Sequence, residues 1–233
     1  MNTTVTVTGL QITAKSDTTY LLISRANTLG TAPANAAAIQ AENSGLGFTS
    51  VAVEGSSAVF PVAPASAVTE GSSGTHTNLT GSGANPANLY WYTMVGTDPT
   101  SSGYVGIEHS EKNVTAIVNS DSTTYVSDYV LKKTFYFTIA NGANNAANLM
   151  VDTITFTDSD PAVRCLVVGT NGYEIFSTTG TGTTVFENTL NSTTVYKVDV
   201  YVYYDGNAST IYTNNLAILK GDINITFKVT AAG

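Results

Sequence analysis

Charge is what this sequence has least of. Charged side chains make up 11% of its 233 residues, against roughly 25% in an ordinary soluble domain. Positive charge is the scarcer sign: 9 Lys and Arg face 17 Asp and Glu, for a formal charge of −8. That balance offers no cationic surface to a phosphate backbone, so nucleic acid is not an expected partner. A basic membrane-surface helix is excluded for the same reason. No run reaches the roughly 18–20 apolar residues that span a bilayer. The opening MNTTVTVTGLQ lacks the basic and apolar regions of a signal peptide, so a secreted protein would carry this sequence as its mature form. The lone cysteine, Cys165 in VRCLVV, excludes an intrachain disulfide and reads as a small buried hydrophobe.

Catalytic signatures are also missing. The sequence holds no GxSxG, HExxH or P-loop, and no GxGxxG that opens a helix. With one Cys and two His, a zinc site built on those residues lacks ligands. His76 lies in a Gly/Ser-rich stretch and His109 in EHSEK, and both read as solvated surface residues. Asp158, Asp160, Asp205 and Asn207 offer oxygen ligands of the kind Ca²⁺ takes, but neither pair completes an EF-hand loop. Asp and Asn also cap turns with their own side chains, which is the plainer reading. The expectation is a non-enzymatic protein with no catalytic residues, no cofactor and no metal.

What is present is strand. Thr is about one residue in six, and 13 Tyr and 8 Phe accompany it. Ile223, Ile225, Phe227, Val229 and Ala231 alternate with polar residues, as do Phe135, Phe137 and Ile139. Tyr196, Val198, Val200, Val202 and Tyr204 alternate with Lys197, Asp199, Tyr201 and Tyr203. A period of two marks half-buried strands, and Val163–Val168 is nearly continuous, as in a strand covered on both faces. Val5 and Val7 give way after Gly9 to Leu10, Ile12 and Ala14, the phase change of a β-bulge. Leu149 and Val151 give way likewise to Ile154 and Phe156. Turn clusters such as Asn141-Gly142 and Asn171-Gly172 separate the runs. The expected fold class is all-β: residues 1–233 as a single two-sheet antiparallel β-sandwich of jelly-roll type.

Residues 26–87 differ, being rich in Ala, Ser, Gly and Asn. They read as an irregular excursion with a short helix over Asn35–Glu42 and a loop or hairpin tip over Gly71–Gly83. Pro61 and Pro64 argue against a central strand around them. Tyr90, Trp91 and Tyr92, with Tyr201, Tyr203 and Tyr204, suit either a glycan-stacking platform or core filling and cross-strand pairing. Asn-x-Ser/Thr sequons begin at Asn2, Asn78, Asn113, Asn191, Asn207 and Asn224, about what this composition yields by chance. Lys197, Lys220 and Lys228 lie on or beside late strands, where a Lys–Asn isopeptide cross-link would need a buried acid beside them.

The two ends carry a resemblance. Gly9, Leu10, Ile12, Ala14 and Lys15 are similar to the opening of TasA and camelysin-type proteins, secreted fibre and surface proteins of Gram-positive bacteria. The closing INITFKVTA resembles the strand that ends their jelly roll. The resemblance covers some 25 residues at the termini. It implies an extracellular or cell-surface fibre or matrix subunit that polymerises with itself or joins other surface proteins. In such a fibre an N-terminal strand, here with Val5, Val7, Leu10 and Ile12 as the inserted residues, completes the next subunit's sheet; the plainer reading is that this strand pairs within its own chain. The alternative expectation is a carbohydrate-binding or adhesin module.

Overall fold

The computed structural model describes residues 10–17, 20–24, 32–42, 48–52, 57–59, 61–68, 76–93, 130–143, 146–208 and 217–231. In chain order these hold β1 (Leu10–Ser16), β2 (Leu21–Ile23), α1 (Ala36–Glu42), β3 (Phe48–Ala52), β4 (Ser57–Val59), β5 (Val62–Val68), β6 (His76–Asn78), β7 (Ser82–Ala84) and β8 (Tyr90–Thr93). Next come β9 (Val130–Ile139), β10 (Ala146–Thr157), β11 (Val163–Val168) and β12 (Gly172–Phe176). The last are β13 (Glu187–Leu190), β14 (Tyr196–Tyr204), β15 (Ala217–Leu219) and β16 (Gly221–Ala231). Among the described residues the fold is all-β with one short helix, as the period-two patterning predicts.

Two sheets dominate. A five-stranded sheet runs β13-β10-β16-β1-β3, and a six-stranded sheet runs β2-β9-β14-β11-β12-β7. Strand pairs are antiparallel except β1 with β16, which is parallel. The inner faces follow the alternation. Leu10, Ile12, Ala14, Leu149, Val151, Ile154, Ile223, Ile225 and Phe227 come from the first sheet. Phe135, Phe137, Ile139, Val198, Val200, Val202, Val163, Cys165 and Val167 come from the second, in the same core. Phe137 meets Phe227 edge to face across the gap, with centroids 4.9 Å apart, an arrangement worth about 0.5–1.5 kcal/mol beyond its buried area. Two sheets sharing one core give the molecule its β-sandwich-like character. The slip expected in Leu149–Thr157 is present, since the β10 register shifts between Val151 and Thr153. The expected change of phase at Gly9 falls outside the described residues.

The stretch 26–87 holds more regular structure than expected. Its helix is capped by Asn35, whose Oδ1 accepts the Ala38 N–H at 2.9 Å. Beyond the helix it supplies β3 to β7, and β5 is the middle strand of a small sheet ordered β6-β5-β8. The expectation that Pro64 bars a central strand is therefore corrected. Its carbonyl accepts from the Leu79 N–H at 2.9 Å, just past Asn78, where β6 ends. The missing proline N–H thus falls where that ladder has already stopped.

Candidate functional site

Two of the acids that offered oxygen ligands cap turns. Asp160 Oδ1 accepts the Ala162 N–H at 2.8 Å, and Asp205 Oδ1 accepts the Asn207 N–H at 2.9 Å. Asp205 also takes Arg164 Nε at 3.2 Å. Among the described residues no three His, Cys, Asp or Glu side chains gather as metal ligands would. Cys165 is fully buried in the core, where desolvation pushes its thiol pKa up and keeps it unreactive. His109 lies outside the described residues, and His76 is placed by its backbone in β6.

Trp91 is not exposed. It is 2% accessible and lies over the outer face of the six-stranded sheet, 4.9 Å from Tyr203 and 5.7 Å from Tyr201 between centroids. Val62, Leu79, Val130, Leu166 and Tyr173 complete this second core. The register explains it: Leu166, Tyr201 and Lys132 sit opposite one another across three strands, as do Arg164, Tyr203 and Val130. The outward phase of β14 is aromatic, so it needs a cover, and β5 and β8 supply one. Desolvation, then Asp199, pushes the Tyr201 hydroxyl pKa up. The Trp91 indole N–H has no acceptor among the described residues. Tyr90 is half-buried at the start of β8, and Tyr92 is placed there by its backbone alone. Tyr204 belongs to the inner core rather than to this layer.

The strand expected to take part in assembly sits elsewhere. β1 lies between β16 and β3 in the five-stranded sheet. Leu10 pairs with Gly221 and Ile12 with Ile223, and the parallel ladder continues to Ser16 against Phe227. On its other side β1 pairs antiparallel with β3, Ile12 opposite Val51. Leu10, Ile12 and Ala14 have no exposed surface. Each such side chain contributes about 1.5–3 kcal/mol when fully buried, Ala14 less. Val5 and Val7 lie outside the described residues.

No family model, curated protein or solved structure matches this chain. Its function therefore rests on its own geometry, which includes three buried ionisable groups that sequence reasoning missed. Lys133 is 5% exposed and occupies the inward phase of β9 between Leu131 and Phe135, where burial lowers its pKa to about 8. Its place in the apolar phase was a readable signal. Glu174 accepts from the Thr183 N–H and Oγ1 and from the Thr184 N–H at 3.0–3.1 Å. Glu187 accepts from the N–H and hydroxyl of Thr170. Both carboxylates tie loops to strands, and no local pattern announces such closures. The lysines considered for a cross-link stay outside the core: Lys197 and Lys220 are exposed, and Lys228 pairs with Asp152 at 3.0 Å.

Proposed function

We propose that the chain is a non-enzymatic extracellular structural protein, a subunit of a surface fibre or matrix that assembles by β-strand addition. The observation that carries this reading is the position of β1. It is the first strand described, and it fills an interior slot of the five-stranded sheet, between β3 and the last strand, β16. Everything that recognises it belongs to that slot: a ladder on each side and buried sites for Leu10, Ile12 and Ala14. A strand of identical sequence from a second copy satisfies the same slot with the same contacts, which makes exchange a low-cost route to association. Exchange in series is head-to-tail and does not close, so it yields filaments. On this reading the two sheets form a jelly roll of the TasA and camelysin type, which the terminal motifs resemble. A glycan-binding role for the Tyr90–Tyr92 segment gains no support, because the Trp91 ring faces are covered.

The test is electron microscopy of the purified chain as it polymerises, with and without a synthetic Val5–Ser16 peptide. Filaments are expected, and excess peptide is expected to cap their growth, whereas the same peptide carrying Ile12→Asp leaves growth unchanged. A chain that forms no filaments, or filaments indifferent to the unaltered peptide, would sink the reading.

A further inference from the structure

We propose that Asn191 is an N-glycan acceptor, to which a membrane transferase passes a sugar from a lipid-pyrophosphate carrier. Such an acceptor presupposes the extracellular placement proposed above, though not strand exchange.

Six Asn-x-Ser/Thr triplets occur in the sequence, so the triplet alone selects nothing and its presentation decides. Asn2 and Asn113 lie outside the described residues, as does Ser209 of the Asn207 triplet. Three triplets are described in full. Asn224 stands within β16, in register with Thr13 of β1 on one side and Thr155 of β10 on the other. Its middle residue, Ile225, is fully buried in the inner core. Asn78 ends β6. Its middle residue, Leu79, is buried in the outer core, with its N–H bonded to the Pro64 carbonyl at 2.9 Å. A transferase takes the acceptor segment into its own cleft. Drawing out Ile225 or Leu79 exposes apolar surface and breaks backbone hydrogen bonds.

The Asn191 triplet meets neither obstacle, since it lies between β13 and β14 and has no buried member. Asn191 and Ser192 are half-buried, and Thr193 and Thr194 are exposed. Two hydrogen bonds fix the backbone of this turn. The Asn191 N–H donates to the Tyr196 hydroxyl at 3.0 Å, and the Ser192 carbonyl accepts from Gln40 Nε2 at 2.8 Å. Residues 188–196 carry no charge, so a sugar there adds hydrated bulk to a neutral stretch beside β13.

The Asn191 side chain is also set for the transfer. Its Oδ1 accepts from the Thr193 N–H at 3.0 Å and from the Thr193 hydroxyl at 2.8 Å. An amide nitrogen is a poor nucleophile, because its lone pair is shared with the carbonyl. Two donors on Oδ1 stabilise the negative charge that gathers there as Nδ2 gives up a proton. Nδ2 then bonds to the anomeric carbon of the sugar while the bond from that carbon to the carrier's phosphate oxygen breaks. The pyrophosphate leaves with the electron pair, and the Nδ2 proton passes to a base of the transferase. An Asn that only capped the turn would make the same two hydrogen bonds, so the test reads sugar attachment itself.

The folded chain is incubated with a purified oligosaccharyltransferase and a lipid-pyrophosphate-linked oligosaccharide. A short Asn-x-Thr peptide in the same mixture reports that the enzyme is active. Peptide mass spectrometry is expected to place one glycan on Asn191 and none on Asn224. Asn191→Gln and Thr193→Ala are each expected to lose that glycan and Thr193→Ser to keep it, with circular dichroism unchanged in all three. An unmodified Asn191 beside a glycosylated peptide overturns the proposal. So does a Thr193→Ala chain modified as fully as the wild type, or an Asn224 modified as fully as Asn191. The assay does not depend on polymerisation, so a chain that forms no filaments still answers it, and a failed acceptor leaves strand exchange through β1 standing.

Discussion

The outer faces of the two large sheets solve the same problem in opposite ways. On the five-stranded sheet, Thr13 lies opposite Asn224 and Asn224 opposite Thr155. The next row is Lys15, Thr226 and Thr153. Thr13 is buried, Asn224, Thr226 and Thr155 are half-buried, and Thr153 and Lys15 are exposed. Small polar side chains of this kind hydrogen-bond to water as readily as to each other, so the face tolerates contact with solvent. On the six-stranded sheet the equivalent rows carry Leu166, Tyr201, Tyr203 and Val130, and the chain places Trp91, Val62 and Leu79 over them. Scarcity of charge thus has two structural forms here: a small-polar face that solvent partly reaches, and an aromatic face shut by its own chain.

The sharpest way to break this contrast is to substitute one residue on each face. Trp91→Ala removes the centre of the second core and leaves a cavity, at a cost of about 3–5 kcal/mol. Thr155→Ala on the open face changes stability by no more than about 0.5 kcal/mol. Urea denaturation of the two variants is the measurement. A Trp91→Ala loss as small as that of Thr155→Ala would mean that β5 and β8 contribute little to the folded state.

That contrast was partly legible in the sequence. The long alternating runs at Phe135–Ile139, Tyr196–Tyr204 and Ile223–Ala231 became β9, β14 and β16, because a strict period of two leaves one face for the core. The slip in β10 and the Asn35-capped helix were legible for equally local reasons. The placement of Tyr201 and Tyr203 on the phase opposite Val200 and Val202 was a sign that the outer face would be covered. What covers it was hidden, since β5 and β8 are short and β5 contains Pro64. The parallel pairing of β1 with β16 was also hidden. It joins residues some two hundred positions apart, and no local pattern fixes such a register.

The inner core gives a second way to sharpen the comparison, because one of its inward positions is basic. Lys133 stands in the row of Leu131 and Phe135, and burial holds its pKa near 8, against about 10.4 in an unfolded chain. Between these values the unfolded state binds more protons than the folded one, so stability rises as pH increases. At neutral pH the buried ammonium is a liability, and Lys133→Met is expected to stabilise the protein by about 1–3 kcal/mol. The gap between variant and wild type should narrow as pH rises from about 8 to about 10. Denaturation curves across that range check this. A gap independent of pH would show that Lys133 is not the titrating group.

The smallest effect is expected on the open face, where charge is solvated. Lys228 Nζ lies 3.0 Å from Asp152, with both side chains about one-third exposed. Burial, then Asp152, raises the Asp17 pKa, while its own backbone amide and then Lys228 oppose the rise. Lys228→Met removes the cation and leaves two carboxylates facing each other, so the Asp17 pKa rises further. Exposed pairs contribute about 0–1 kcal/mol, and the loss at neutral pH should fall in that range. A carboxyl with a raised folded pKa takes up its proton more readily in the folded than in the unfolded state. Acidification towards pH 4 therefore narrows the deficit of the variant, and added salt does the same by screening the repulsion. A deficit well above 1 kcal/mol, or one insensitive to salt, would mean that this face is held by its ion pair rather than by its neutral threonine rows.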